Sequence, residues 1–208
     1  NIEALRAMEL ELKKNNEMLA KLSNLDGLTG IANRRMLDDS LRKEWESCGN
    51  SRSPLALIIL DIDFFKFYND SLGHAEGDHC LKRVALALSS SVRRSNDLVA
   101  RFGGEEFAAL LPATDLVAAF AVAYRMREAI AGLAIRHPKS MASEMVTASF
   151  GIAVIVPPTE TQDLCIEDLV KRADAELYEA KRKGRDRISP EVSYIPPPVT
   201  RASLLPKA

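Results

Sequence analysis

Cysteine is scarce in this chain. Cys48, Cys80 and Cys165 are the only three in 208 residues, odd in number and widely spaced, which argues against a disulfide framework and matches no metal-knuckle spacing. A reducing compartment, the cytoplasm, is the expected location, and whether a parent protein is tethered to a membrane stays open. No apolar run approaches the ~20 residues of a membrane span, and no signal-peptide pattern opens the chain. Net charge is nearly absent too: 28 Lys and Arg stand against 29 Asp and Glu, so no bulk field calls for nucleic acid or a membrane surface as partner. Histidine is rare; His74 and His79 read as structural, and no His/Cys grouping has the spacing of a zinc site. What is present is 47% hydrophobic and 27% charged, the composition of one globular domain with some attached non-globular segment. The chain begins at Asn1 inside a helical pattern without an initiator Met, so a missing upstream part is expected.

Residues 1–23 contain no Gly or Pro, and Leu5, Met8, Leu12, Asn15, Leu19 and Leu22 alternate spacings of three and four. That is a coiled-coil seam, and a parallel dimer is expected, with Asn15 fixing its register. The alternative is a lone amphipathic helix packed on its own domain. Gly27 and Gly30 should end it, and Asn33 can cap a second helix through about Cys48. "PLALIILDID", 54–63, reads as a strand buried on both faces that ends in Asp61 and Asp63. "EGDHCLKRVALALSSSV" has helical spacing, "DLVARF" and "EEFAALLP" form a hairpin across Gly103 and Gly104, and "DLVAAFAVAYRMREAIAGL" is a helix. A long β-branched strand, "EMVTASFGIAVIVPP", precedes a last helix, "IEDLVKRADAELYEAKRK", and "RDRIS" closes as a short strand. The order β-α-β-β-α-β is the ferredoxin-like pattern of an α+β fold: a central antiparallel sheet with helices on one face. After Pro190, "EVSYIPPPVTRASLLPKA" holds four prolines and little periodicity, so a flexible tail is expected. The chain divides into an N-terminal helix (1–24), one domain (25–190) and a tail (191–208).

In that arrangement the first strand neighbours the hairpin, so Asp61, Asp63, Glu105 and Glu106 should converge. Four like charges at that density need a counter-charge, and a hard cation with oxygen ligands, Mg²⁺, relieves them. Mg²⁺ held by one or two carboxylates keeps positions for water and phosphate oxygens, which implies a phosphorylated ligand. Phosphate needs cations and N–H donors: "DFFKFYNDSLGHAEGD" supplies Lys66 on what reads as an irregular loop, and "AKRKGRDR" supplies Lys181 and Arg185. Asn69 and Asp78 offer an amide and a carboxylate able to pair with a guanine edge. Each piece has a plainer reading. Gly-Gly can be only a turn, acids at a strand end only a solvated rim, and the basic cluster only a helix C-terminus stopped by Gly184. The coincidence on adjacent strands favours function.

"LDGLTGIANRR", "DIDFFKFYND", "GHAEGD", "RFGGEEF", "VTASFGIA" and "ADAELYEAKRKGR" occur in order and resemble the successive motifs of the GGDEF family of diguanylate cyclases, over about Leu25 to Ile188. The resemblance implies a palm-type fold, and a homodimer that condenses two GTP into cyclic di-GMP and releases two pyrophosphates, as the output domain of a protein with an upstream sensor. It implies that Asp61, the Ile62 carbonyl and Glu106 bind Mg²⁺, or Mn²⁺ in its place, with Glu105 a further ligand or the base for the attacking 3′ hydroxyl. Backbone of Phe64 and Phe65, with Lys66, Lys181 and Arg185, would hold phosphates, and Asn69 and Asp78 would read guanine. Gly103 and Gly104 would admit the nucleotide over the turn. A strict strand sends Glu105 and Glu106 to opposite faces, so one of them should lie on a twisted or bulged stretch. Glu105 stands where the family most commonly has Asp, and Ala32 where it often has Pro.

Arg94 and Asp97, an R-x-x-D pair ahead of the glycines, resemble the family's inhibitory product site for cyclic di-GMP; the plainer reading is a helix-end arginine and a capping Asp. Two rival readings remain, a nucleotide receptor without turnover and a cyclase of other nucleotide choice. The intact carboxylates and Lys66 argue against the first, and Asp78 against the second.

Overall fold

A computed structural model describes residues 24–159 and 164–192; the expected seam helix and the tail from 193 onward lie outside the described residues. The expected double-sided strand is the centre of the molecule. β1 (Leu55–Ile62) is buried throughout except at Asp61, and pairs antiparallel with β3 (Glu106–Pro112) on one side and β4 (Ala148–Ile155) on the other. β2 (Leu98–Gly103) lies outside β3 and β5 (Ile188–Ser189) outside β4, giving the order β2-β3-β1-β4-β5. β5 runs parallel to β4, so the sheet is mixed rather than wholly antiparallel. A helix connects those two strands, and a crossover of that kind returns the chain in the same direction.

Five helices cover the sheet: α1 (Arg34–Ser51), α2 (Phe65–Leu72), α3 (His74–Ser91), α4 (Leu116–Gly132) and α5 (Ile166–Arg182). They lie on both faces, which corrects the one-faced arrangement expected from strand order. Ala56, Ile58, Leu60 and Ile62 pack with Val84 and Leu88 of α3 and Ala123 and Met126 of α4. Leu55, Leu57 and Ile59 pack with Leu37 and Leu41 of α1 and Leu169, Ala173 and Leu177 of α5. A strand apolar at successive positions has two faces to cover, and helices on one side would leave the second in water. Asn33 caps α1 as expected, its side chain accepting the Met36 N–H at 3.0 Å.

The stretch expected as an irregular loop is α2. Phe64 adopts the left-handed conformation (φ 56°) directly after β1, which turns the chain so sharply that a helix begins at the next residue. A side chain as large as Phe gives no warning of this, because positive φ is uncommon outside Gly, Asn and Asp.

One glycine fixes how closely α5 approaches the sheet. A Cβ on Gly151 of β4 would stand 2.2 Å from both Ala173 O and Leu177 N of α5, and backbone cannot yield as a side-chain tip can. Gly151→Ala should therefore lower stability by about 1–3 kcal/mol, seen in urea as an earlier midpoint with an unchanged slope.

Candidate functional site

Asp61 and Glu106 face each other as a register pair where β1 and β3 end. Glu105 precedes them in the turn from β2, and its carbonyl accepts the Ile62 N–H at 3.3 Å. The expected irregularity falls before the two glutamates rather than on either of them. Arg101 pairs with Phe107 but Gly103 with Glu106, which leaves Phe102 as the extra residue of a bulge, and Gly104 takes positive φ (53°). Because Glu105 sits in the turn, strand alternation does not send it away from Glu106. A Cβ added to Gly103 or Gly104 would meet no heavy atom within 4 Å, so the space over the turn is open. Arg101 holds the turn: its guanidinium donates to Gly104 O at 2.6 and 2.8 Å and to Asp26 at 3.1 Å. Burial works against the charge of Asp26, yet bonds from Thr29 and Arg101 keep its carboxyl below the usual range.

Asp61 is only 15% exposed, with Lys181 Nζ 3.0 Å away. Burial pushes its carboxyl up to about 6; Lys181 opposes the shift, and Glu105 and Glu106 reinforce it. Asp61 thus has one ammonium against it and two like charges near it. Asp63 does not join them. It lies past the end of β1, 1% exposed, accepting from Thr147 Oγ1 at 2.8 Å, Ser149 Oγ at 2.7 Å and the Asp186 N–H at 3.0 Å. It is a clamp joining the β1 end to β4 and to the segment after α5, and alternation carries no information there because the strand has already ended.

Among the described residues no three Asp, Glu, His or Cys side chains are close enough to enclose a metal by themselves. Mg²⁺ does not require such a cage. It dehydrates reluctantly and is bound through one or two carboxylates, which the Asp61–Glu106 pair and its excess negative charge fit.

The α2 N-terminus, at Phe65, comes four residues after Asp61. No side chain caps it, the Tyr68 N–H to Phe64 O bond (3.2 Å) is its first internal link, and the N–H groups of Phe65, Lys66 and Phe67 therefore lack acceptors within the helix. Arg185 lies 4.3 Å over the Phe64 ring, and Lys66 is exposed. Farther along, the Asn69 side-chain oxygen is buried without a hydrogen-bond partner. It occupies the room left by Gly77, where a Cβ would stand 1.9 Å away, beside exposed Asp78. A second site forms at the other end of β2: Asp97 accepts the Arg94 N–H at 3.2 Å and Arg94 Nη1 donates to Thr114 Oγ1 at 3.3 Å. They line a cavity of about 260 Å³ with Arg93 and Arg125, neither of which the sequence reading singled out. A larger cavity, about 410 Å³, lies between α1 and α5 and holds none of the expected site residues.

The family profile described as "Diguanylate cyclase, GGDEF domain" matches residues 23–187. The chain belongs to the GGDEF family. The response regulator PleD of Caulobacter vibrioides is 36% identical to this GGDEF domain over 179 residues, 85% of this chain and 38% of that protein. The diguanylate cyclase DgcP of Pseudomonas aeruginosa is 41% identical over 163 residues, 78% of this chain and 23% of that protein; the chain thus spans well under half the length of either relative. The coiled coil and GGDEF domain of DgcB from Caulobacter crescentus, in complex with c-di-GMP, superposes with a TM-score of 0.74 at 28% identity, covering 90% of this chain and 95% of that one. Among the described residues no helix is long and apolar enough to cross a membrane.

Besides Arg93 and Arg125, sequence reasoning missed the Asp26–Arg101 latch of this GGDEF domain and a buried histidine, His137, bonded to the Phe64 carbonyl at 3.1 Å. Aspartates 61 and 63 should separate cleanly on mutation. Asp63→Ala strands two buried hydroxyls and the half-buried Asp186 N–H and should cost about 3 kcal/mol, whereas Asp61→Ala removes a carboxylate whose burial and like-charged neighbours outweigh its Lys181 partner and should leave metal-free stability at or above wild type. Thermal and urea unfolding of the two variants without divalent metal reads the contrast.

Proposed function

We propose that this GGDEF domain is a diguanylate cyclase, condensing two GTP into cyclic di-GMP with release of two pyrophosphates. The observation that carries the reading is the Asp61–Glu106 pair with Glu105 beside it, under a glycine turn over which the space is open. Asp61, Glu106 and the Ile62 carbonyl would hold Mg²⁺, or Mn²⁺ in its place. When bound, the ion neutralises the triphosphate and stabilises the leaving pyrophosphate. Glu105 adds a further ligand or takes the proton of the attacking 3′ hydroxyl. That oxygen attacks the α-phosphorus of the second GTP as the bond to pyrophosphate breaks, once for each half of the product. The uncapped α2 N-terminus at Phe64 and Phe65, with Lys66, Lys181 and Arg185, holds the phosphates. Asn69, with its unpartnered oxygen, and Asp78 read the guanine edge.

Each subunit holds one GTP, and the product has two-fold symmetry, so two half-sites must meet around a two-fold axis as a homodimer. Residues 1–24 set how the halves meet and so carry the state of an upstream sensor. Cyclic di-GMP bound at Arg94 and Asp97 slows the reaction. Arg93 and Arg125, which line the same cavity, add the positive charge that a dianionic product requires, and the DgcB structure with c-di-GMP supports a product site on this fold.

Incubation with GTP and Mg²⁺, with products resolved by mass spectrometry, tests the reading: cyclic di-GMP is expected, and nucleotide binding without product would assign a receptor instead. Glu106→Ala should abolish turnover with an unchanged circular dichroism spectrum, since it removes a ligand from the cleft and no core volume. Arg94→Ala should leave initial rates near wild type and straighten progress curves as product accumulates; equal inhibition of both proteins by added cyclic di-GMP would return Arg94 to a helix-end role.

A further inference from the structure

His74 and His79 are exposed, whereas His137 is 1% exposed and comes from a loop, 133–147, outside the sheet and helices. The loop is braced from within: the His137 N–H donates to Glu144 O and the Val146 N–H to Ile135 O, each at 2.8 Å. From this base His137 Nε2 lies 3.1 Å from Phe64 O, and the Tyr68 ring meets the imidazole edge-on at 5.2 Å. A carbonyl oxygen can only accept, so Nε2 carries the proton and Nδ1 is bare. Nδ1 is buried with no hydrogen-bond partner. A buried acceptor left unpaired is destabilising, and an apolar ring would fill the same space without it. The histidine therefore has its use in the bond made by Nε2.

That bond acts on a strained peptide. Phe64 is left-handed at φ 56° and ψ 27°, a conformation a residue with a side chain keeps only when its surroundings impose it. In a trans peptide the C=O and N–H point in opposite directions. Drawing Phe64 O inward onto His137 turns the Phe65 N–H outward, to the end of α2 where Arg185 covers the Phe64 ring. We infer that His137 is a positioning residue for triphosphate binding: its Nε2–H fixes the Phe64–Phe65 peptide so that the Phe65 N–H faces the phosphates of the bound nucleotide. The inference rests on the α2 N-terminus being the phosphate cradle of the proposed cyclase.

Three full-chain proteins test it: wild type, His137→Phe, which fills the volume without a donor, and His137→Gln, whose side-chain N–H reaches a similar point. Calorimetry with Mg²⁺ compares α,β-methylene GTP, which cannot release pyrophosphate, with guanosine, which has no phosphate. His137→Phe should bind the triphosphate about tenfold more weakly, the loss of one well-aligned donor, with guanosine affinity unchanged and most of the loss recovered in His137→Gln. Equal triphosphate affinity in wild type and His137→Phe, or parallel weakening of both ligands, overturns the positioning role and leaves the cyclase reading intact. A wild type that binds no α,β-methylene GTP overturns the cyclase reading itself. Wild type alone gives a check that does not depend on the variants folding. Long-range ¹H–¹⁵N spectra should show the Nε2–H tautomer at His137, and Mg²⁺-pyrophosphate should shift the Phe65 amide; an Nδ1–H tautomer or an unmoved Phe65 amide overturns the inference.

Discussion

Three carboxylates meet one ammonium where β1 and β3 end, and most of the architecture works to keep them there. Repulsion among Asp61, Glu105 and Glu106 would be relieved by splaying the strands or letting water in. Neither is open to the chain, because β1 is buried on both faces and bonded along both edges. The strain is held by surrounding contacts. Lys181 arrives from α5, which Gly151 allows to lie directly on β4. Asp63 locks the end of β1 to Thr147, Ser149 and Asp186, and Arg101 locks the glycine turn from below. On the proposed reading a divalent cation would relieve this repulsion, meeting in Asp61 a carboxylate whose burial already disfavours its charge.

The Arg101 bonds also decide what the glycine turn is coupled to. Its guanidinium spans Gly104 O and the Asp26 carboxylate, and the Arg101 N–H reaches Ala32 O at 2.8 Å. The segment carrying Asp26 and Ala32 is where the chain enters the domain. Displacing that entry would shift Asp26 against Arg101, and Arg101 against the turn that carries Glu105. Ala32 itself forms an isolated parallel bridge with Ala100 of β2, which ties the same entry segment to the strand that leads into the turn.

The parts legible in the sequence were those set by local chemistry. β1 showed as an unbroken apolar run, α1 by its Asn33 cap, and the hairpin by its two glycines; alternation signalled that Glu105 and Glu106 could not both lie in regular strand, and the turn, which holds Glu105, resolves it. What was not legible depends on backbone angles or distant partners. Phe64 at positive φ converts an expected loop into α2, and nothing in a phenylalanine announces it. Asp63 was grouped with Asp61 because both close the same apolar run beside the hairpin, but the strand stops at Ile62. His137 and Phe64 are 73 positions apart and Arg101 and Asp26 are 75, separations at which periodicity says nothing. The helix layers were misjudged for a related reason: strand order constrains connections, whereas the apolar character of both faces of β1 dictates covering.

The two candidate ligand sites are fixed at opposite ends of one strand. β2 runs from Leu98 to Gly103, a span of roughly 20 Å at 3.4 Å per residue, with Arg94 and Asp97 before it and the glycine turn after it. A nucleotide over the turn and a ligand at Arg94 cannot touch, and β2 is held between them by β3 along its length. A strand paired in that way transmits little change in shape. On the proposed cyclase reading, regulation through Arg94 would have one economical route, the placement of whole subunits: a two-fold symmetric product offers two guanines and two phosphates, enough to bind arginines of two copies at once. A reaction of two facing half-sites would then be stopped by holding the subunits in any other arrangement, with each site left chemically intact.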